Sequence, residues 1–150
     1  MSRQPTPPQL LLENQLCFLF HRISRDLDAA YRPLLSELGL TYPQYLVMLV
    51  LWEQDGLAVG QLGERLKLDS DTLTPLLKRL EVAGHLKRLR DTTDERRLRL
   101  QLTPKGRALR AQAAHIPEQL AAGAGCGLDE LADLTRRIAT LRDRIHSAHP

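Results

Sequence analysis

Two cysteines, Cys17 and Cys126, are the residues of this 150-residue chain best suited to redox chemistry. The reactive form of cysteine is the thiolate, and a free thiol with a pKa of about 8.5 is barely ionised at neutral pH. A thiolate that is held ionised attacks the O–O bond of a peroxide and becomes a sulfenic acid, which a second thiol condenses to a disulfide. The two cysteines lie far apart in the chain, which excludes a CxxC metal or redox motif. Any chemistry they share has to come from folding or from the association of two chains. Plainer readings stand beside this one: Cys17, among leucines, as a small buried apolar group, and Cys126, in the run Gly123-Ala124-Gly125-Cys126-Gly127, as an exposed bystander. The phenols of Tyr31, Tyr42 and Tyr45 either donate hydrogen bonds to an anion or fill core space, and Tyr45 is the best placed of the three for packing.

A second chemistry is carried by charge. Between His85 and Arg110 stand Lys87, Arg88, Arg90, Arg96, Arg97, Arg99, Lys105, Arg107 and Arg110 against Asp91, Asp94 and Glu95, a net +6 in a chain whose total is +3. Cationic charge concentrated in one stretch suits contact with a nucleic-acid backbone. Charge alone favours the plainer reading, a solvated face.

The elements that position these groups can be read from periodicity. Hydrophobic content of 43%, charged content of 26% and aromatic content of 4% describe a leucine-rich, helix-favouring soluble chain, long enough for one domain over residues 1–150 with its own core. No apolar run approaches the roughly 18 residues of a membrane span, and the Pro-rich start, Met1 to Pro8, lacks the regions of a signal peptide. A cytoplasmic location without membrane contact, cofactor or metal is expected. Leu12, Leu16, Leu19, Ile23, Leu27, Ala30 and Leu34 recur every three or four residues and mark a long amphipathic helix that Gly39 ends. Thr41 and Gln44 have the form of a capping box for a second helix running to about Gln54. Asp55-Gly56 breaks it, and Val59, Leu62 and Leu66 set out a short third helix.

Ser70 is read as the N-cap of the next helix, which Gly84 closes; Leu73, Leu76, Leu77 and Leu80 form its buried stripe. Its other face carries Asp71, Thr72, Thr74, Lys78 and Arg79, while Pro75 sits awkwardly inside it. Two short helices joined by a tight turn match a helix-turn-helix, whose second helix enters the DNA major groove; an ordinary helical hairpin is the alternative. Segments 85–90 and 97–102 then alternate apolar and basic residues, as half-buried strands do. The polar tip between them, including Asp94, Arg96 and Arg97 next to Arg90, forms a wing whose arginine fits a narrow minor groove. The fold class expected is mainly α (α+β), a winged helix-turn-helix over about 57–103 with its wing near 90–97. A helix with Leu109, Ala113, Ile116 and Leu120 on one side follows Thr103-Pro104, and the last helix carries Leu131, Leu134, Ile138, Leu141 and Ile145 at heptad-like spacing. Long apolar helices over about 10–38 and 104–147 exceed what the small winged unit can cover. A two-fold homodimer reading a palindromic operator is the economical arrangement.

The segment Asp94-Glu95-Arg96-Arg97, followed by Leu102-Thr103 and Gly106, resembles the signature of the MarR family of bacterial regulators. The runs 12–18 (LENQLCF) and 40–46 (LTYPQYL) are similar to its OhrR branch of organic hydroperoxide sensors, and the resemblance covers nearly all the chain after the first eight residues. It implies that Cys17 is the peroxidatic sensor, that Tyr31 and Tyr42 hydrogen-bond it across a dimer, and that Cys126 is the resolving cysteine of the two-cysteine type, pairing with the sensor of the other subunit. An apolar surround including Leu16 and Phe20 would favour organic peroxides. His21 departs from relatives that carry tyrosine four residues after the sensor; sharing a helical face with Cys17, it either supports the thiolate or is solvated. The reading is a redox-switched repressor and not an enzyme, with DNA-contacting residues Ser70, Asp71, Thr72, Thr74, Lys78, Arg79, Arg90, Asp94, Arg96 and Arg97. A MarR-type repressor released by a small aromatic ligand is the alternative, and a thiol peroxidase the third; basic wing residues have no use in an enzyme.

Overall fold

Thr41 starts helix α2 (Tyr42–Glu53) with a complete capping box: its amide donates to Gln44 Oε1 at 2.9 Å, and its hydroxyl accepts from the Gln44 amide at 3.4 Å. Apolar nearly all round, α2 buries Tyr45, Val47, Met48, Val50 and Leu51, so it forms the central rod on which the rest packs. The computed structural model describes residues 5–149; the beginning of the Pro-rich start, residues 1–4, and residue 150 lie outside the described residues. The elements run α1 (Leu16–Ser36), α2, α3 (Val59–Leu66), α4 (Ser70–Val82), β1 (Leu86–Arg90), β2 (Leu98–Leu102), α5 (Pro104–Ala113), α6 (Ile116–Gly123) and α7 (Leu128–Ala148). This is the expected winged helix.

Leu35, Leu62, Leu73, Leu77, Leu80, Leu86, Leu100 and Ile116 close the core around α2. Each such side chain contributes about 1.5–3 kcal/mol by leaving water. β1 and β2 pair antiparallel with Leu86 opposite Leu102 and Arg90 opposite Leu98. An unexpected edge joins them: the Leu100 amide donates to the Leu57 carbonyl at 2.8 Å and Ala58 bridges Arg99, so the hairpin is fastened to the α2–α3 connection.

Several expectations are corrected. The first helix starts at Leu16; residues 8–14 form two single 3-10 turns, because the side-chain amides of Asn14 and Gln15 bond back to the Pro8 and Gln9 carbonyls. Asp69, not Ser70, caps α4, its carboxylate accepting from the Thr72 amide at 2.8 Å. Gly84 follows the cap residue Ala83 with φ of +80°, which lets the His85 amide return to the Leu80 carbonyl. The helix after Thr103 is divided into α5 and α6, since Pro117 has no amide to continue the ladder. Leu89 and Leu98 are exposed, not half-buried.

No residue in the outer part of α1 or in α7 is fully buried. Leu16, Leu19, Ile23, Leu27, Leu134, Ile138 and Ile145 stand in solvent, Leu16 at 52% exposure. Among the described residues no helix is long and apolar enough to cross a membrane, and no group of three or more metal-ligating side chains occurs.

Candidate nucleic-acid interface and thiol site

The outward face of α4 presents Ser70, Asp71, Thr72, Thr74, Lys78 and Arg79, all exposed, while Leu73, Leu76, Leu77 and Leu80 are buried beneath them. Pro75 points to the same open side, so its ring displaces no core atom; beside it the Thr74 hydroxyl donates to the Ser70 carbonyl at 2.7 Å. Glu81 at the far end binds both the amide and the guanidinium of Arg88, at 3.1 and 2.9 Å, which ties α4 to the wing and lowers the Glu81 pKa.

Ion pairing sorts the basic residues into two groups. Arg88 pairs with Glu81, Arg97 with Asp94, Arg99 with Asp91 and Arg107 with Asp55. Lys87, Lys105 and Arg110 have no carboxylate partner among the described residues, and neither do Lys78, Arg79, Arg90 and Arg96. The last four lie on the face of α4 and on the wing, where unpaired cations suit phosphate or groove contact. Asp94 accepts from the Arg96 amide at 3.0 Å and so shapes the wing tip instead of neutralising that side chain.

Cys17 occupies the second position of α1 and is exposed, as is His21 one turn on. Cys126 is partly exposed between α6 and α7, its amide donating to the Ala121 carbonyl at 3.0 Å; both thiols are free. Tyr31 and Tyr42 meet with ring centroids 5.0 Å apart, and Tyr45 lies 6.1 Å from Tyr31 and is buried, the packing role expected of it. Burial first, then the neighbouring ionisable groups, pushes all three phenols above their ordinary pKa, so they are protonated donors at neutral pH. Fourteen residues of one helix separate Cys17 from Tyr31, about 21 Å at the α-helical rise. Within one chain the tyrosines therefore do not reach the sulfur, and the apolar surround expected around Cys17 does not close: Leu16 and Phe20 face solvent.

A family model described as transcriptional regulator SarA/Rot matches residues 29–112. The organic hydroperoxide resistance transcriptional regulator of Bacillus subtilis is 44% identical over 90% of this chain and 92% of its own. The chain belongs to the MarR family of winged-helix regulators, as an OhrR-like member. The regulator TtmR of Methylorubrum extorquens is 48% identical over 91% of this chain and 70% of its own. AbfR of Staphylococcus epidermidis superposes with a TM-score of 0.75 at 36% identity, covering 93% of this chain and 96% of that one. AbfR has also been solved on DNA, both reduced and overoxidised, and in a disulfide form. This MarR-family protein is a DNA-binding transcription regulator.

The frame of the regulator includes residues not singled out from sequence. Asp55, read as a helix breaker, accepts from the Gly56 and Leu102 amides, each at 2.9 Å, and pairs with Arg107. One carboxylate thus joins the end of α2, the end of β2 and α5. Trp52 Nε1 donates to the Gly106 carbonyl at 2.9 Å. Asp91, counted only as an acid of the wing tip, is buried against Thr93 and Arg99. Its signal was the spacing Asp91-Thr92-Thr93, which permits an Asx-type turn. Nothing local marks Asp55 as such a tie, because Leu102 and Arg107 come from distant segments.

Proposed function

We propose that this regulator is a homodimeric repressor which holds its operator while reduced and releases it when an organic hydroperoxide oxidises Cys17. The observation that carries the reading is the placement of Cys17: exposed in the first turn of α1, beside the uncovered apolar face of Leu16, Leu19 and Ile23, and fourteen helical residues away from a protonated tyrosine pair. A second chain packed on that face covers Leu16, Leu19 and Ile23 and brings its own Tyr31 and Tyr42 to the sulfur. The solved redox forms of AbfR and the name of the Bacillus relative support the same chemistry.

The sulfur of the Cys17 thiolate attacks the outer peroxide oxygen; the O–O bond breaks, the alkoxide leaves and takes a proton, and a sulfenic acid remains. The Cys126 thiol of the other subunit then condenses with that sulfenic acid: the S–S bond forms as the sulfenic S–O bond breaks, and the hydroxide leaves with the thiol proton as water. Two electrons pass from the thiols to the peroxide. In the reduced dimer the two α4 helices sit one turn of DNA apart, roughly 34 Å, with Ser70, Asp71, Thr72, Thr74, Lys78 and Arg79 toward the major groove. Arg96 enters the minor groove, and Arg90, Asp94 and Arg97 support it. His21, one turn from Cys17, lies beside the thiolate.

A gel shift with the DNA upstream of its own gene tests the reading. Reduced protein is expected to retard the DNA, an organic hydroperoxide to release it, and dithiothreitol to restore it. Retardation indifferent to hydroperoxide but abolished by a small aromatic acid would return the ligand-gated reading to first place.

The tyrosines are separable from DNA binding. Tyr31→Phe and Tyr42→Phe should leave reduced operator affinity within about twofold and slow Cys17 oxidation by on the order of tenfold, the loss of one hydrogen bond to an ionised group. Stopped-flow oxidation rates check this, and wild-type rates in both variants would make the pair core filler.

A further inference from the structure

Asp91 roots the wing loop and is only 5% exposed, although residues 92–97 above it are polar and none of them is buried. Its Oδ1 accepts from the amide and the hydroxyl of Thr93 at 3.0 and 2.9 Å, and its Oδ2 accepts from Arg99 Nε at 2.7 Å. Its own amide donates to the Arg97 carbonyl at 2.8 Å and closes the loop. Arg99 in turn donates Nη1 to the Gly56 carbonyl at 3.0 Å, in the α2–α3 connection. The Thr93 amide first, and then Arg99, hold the Asp91 carboxyl down to about 2. With a folded pKa below the unfolded one, its contribution is complete above about pH 4 and is lost only as the pH falls toward 2.

A two-stranded hairpin alone is marginal in water, and a loop without buried apolar side chains owes its shape to hydrogen bonds. We propose that Asp91 is the positioning residue of the wing: through Thr93 and Arg99 it locks the loop and ties it to the α2–α3 connection, so that Arg96 is held ready for the minor groove. The proposal rests on the reading of Arg96 as a DNA contact. Pre-ordering the loop spares the entropy of fixing it during binding.

The sign of the effect separates this role from plain electrostatics. Removing an acid near DNA should tighten binding to a polyanion, whereas losing a positioning residue should weaken it. Operator affinity is measured at fixed salt for full-length wild type, Asp91→Ala, Arg96→Ala and the double variant, with melting temperatures alongside. Each single change is expected to weaken binding by on the order of tenfold, and the double to be no weaker than Arg96→Ala alone, because coupled residues are not additive. The slope of log affinity against log salt should fall by about one in both single variants. If Asp91→Ala does not fold, Asp91→Asn, which keeps an acceptor for Thr93 and gives up the charge facing Arg99, completes the same cycle. Unchanged or tighter binding by the Asp91 variant, or an additive loss of about a hundredfold in the double, overturns the proposal while leaving Arg96 a contact. Wild-type affinity in Arg96→Ala overturns the wing reading itself, and the proposal with it.

Discussion

Gly106→Ala should be the most damaging single-methyl change in the protein. A Cβ at this position would fall well inside contact distance of the His85 carbonyl oxygen, which is backbone and already accepts from the Thr103 amide at 3.1 Å. On the other side, the Gly106 carbonyl is held by Trp52 Nε1. Neither neighbour can shift without giving up a hydrogen bond, so the cost should reach about 3 kcal/mol or more. For a chain of this length that corresponds to roughly 6–12 °C in melting temperature. Thermal melts at matched protein concentration check it, and a change within about 2 °C would mean that α5 can slide away from β1.

Cys17→Ser should abolish the response to hydroperoxide while leaving operator binding intact. Serine keeps the size of the side chain but offers no nucleophilic anion at neutral pH. Residue 17 is exposed on α1, outside both α4 and the wing, so the change leaves the proposed DNA-contacting residues in place. Cys126→Ser should still react, stopping at the sulfenic acid or passing on to over-oxidised forms, and so losing reversibility before sensitivity. Non-reducing electrophoresis after peroxide should show a covalent dimer in wild type and in neither serine variant. Persistence of that dimer in Cys17→Ser, or release of DNA by peroxide from it, would remove Cys17 from the switch.

The parts of the fold governed by short-range rules were legible. The Thr41–Gln44 capping box, the leucine stripe of α4 and the hairpin period each depend on residues within a few positions of one another. The Ser70 assignment missed by one residue because Asp69 and Ser70 are both good caps and only backbone geometry chooses between them. The wing's third edge at Leu57-Ala58 and the ties of Asp55 to Leu102 and Arg107 were not legible, since these partners lie more than forty residues away. For the thiols, spacing along α1 already excludes contact between Cys17 and Tyr31 of one chain, fourteen helical residues apart; which phenols meet the sulfur depends on the second chain of the proposed dimer, and no residue pattern within one chain encodes that packing.

The distance along α1 between Cys17 and Tyr31 also has a genetic meaning. If each sensor draws its sulfur from one protomer and its phenols from the other, a Cys17 lesion and a Tyr42 lesion carried on different copies of the gene do not both spoil every site. In a mixed dimer, one site receives both lesions and the other receives neither. Two alleles, each defective in sensing when alone, then restore one working sensor per dimer, a complementation that a sensor built within a single chain could not show.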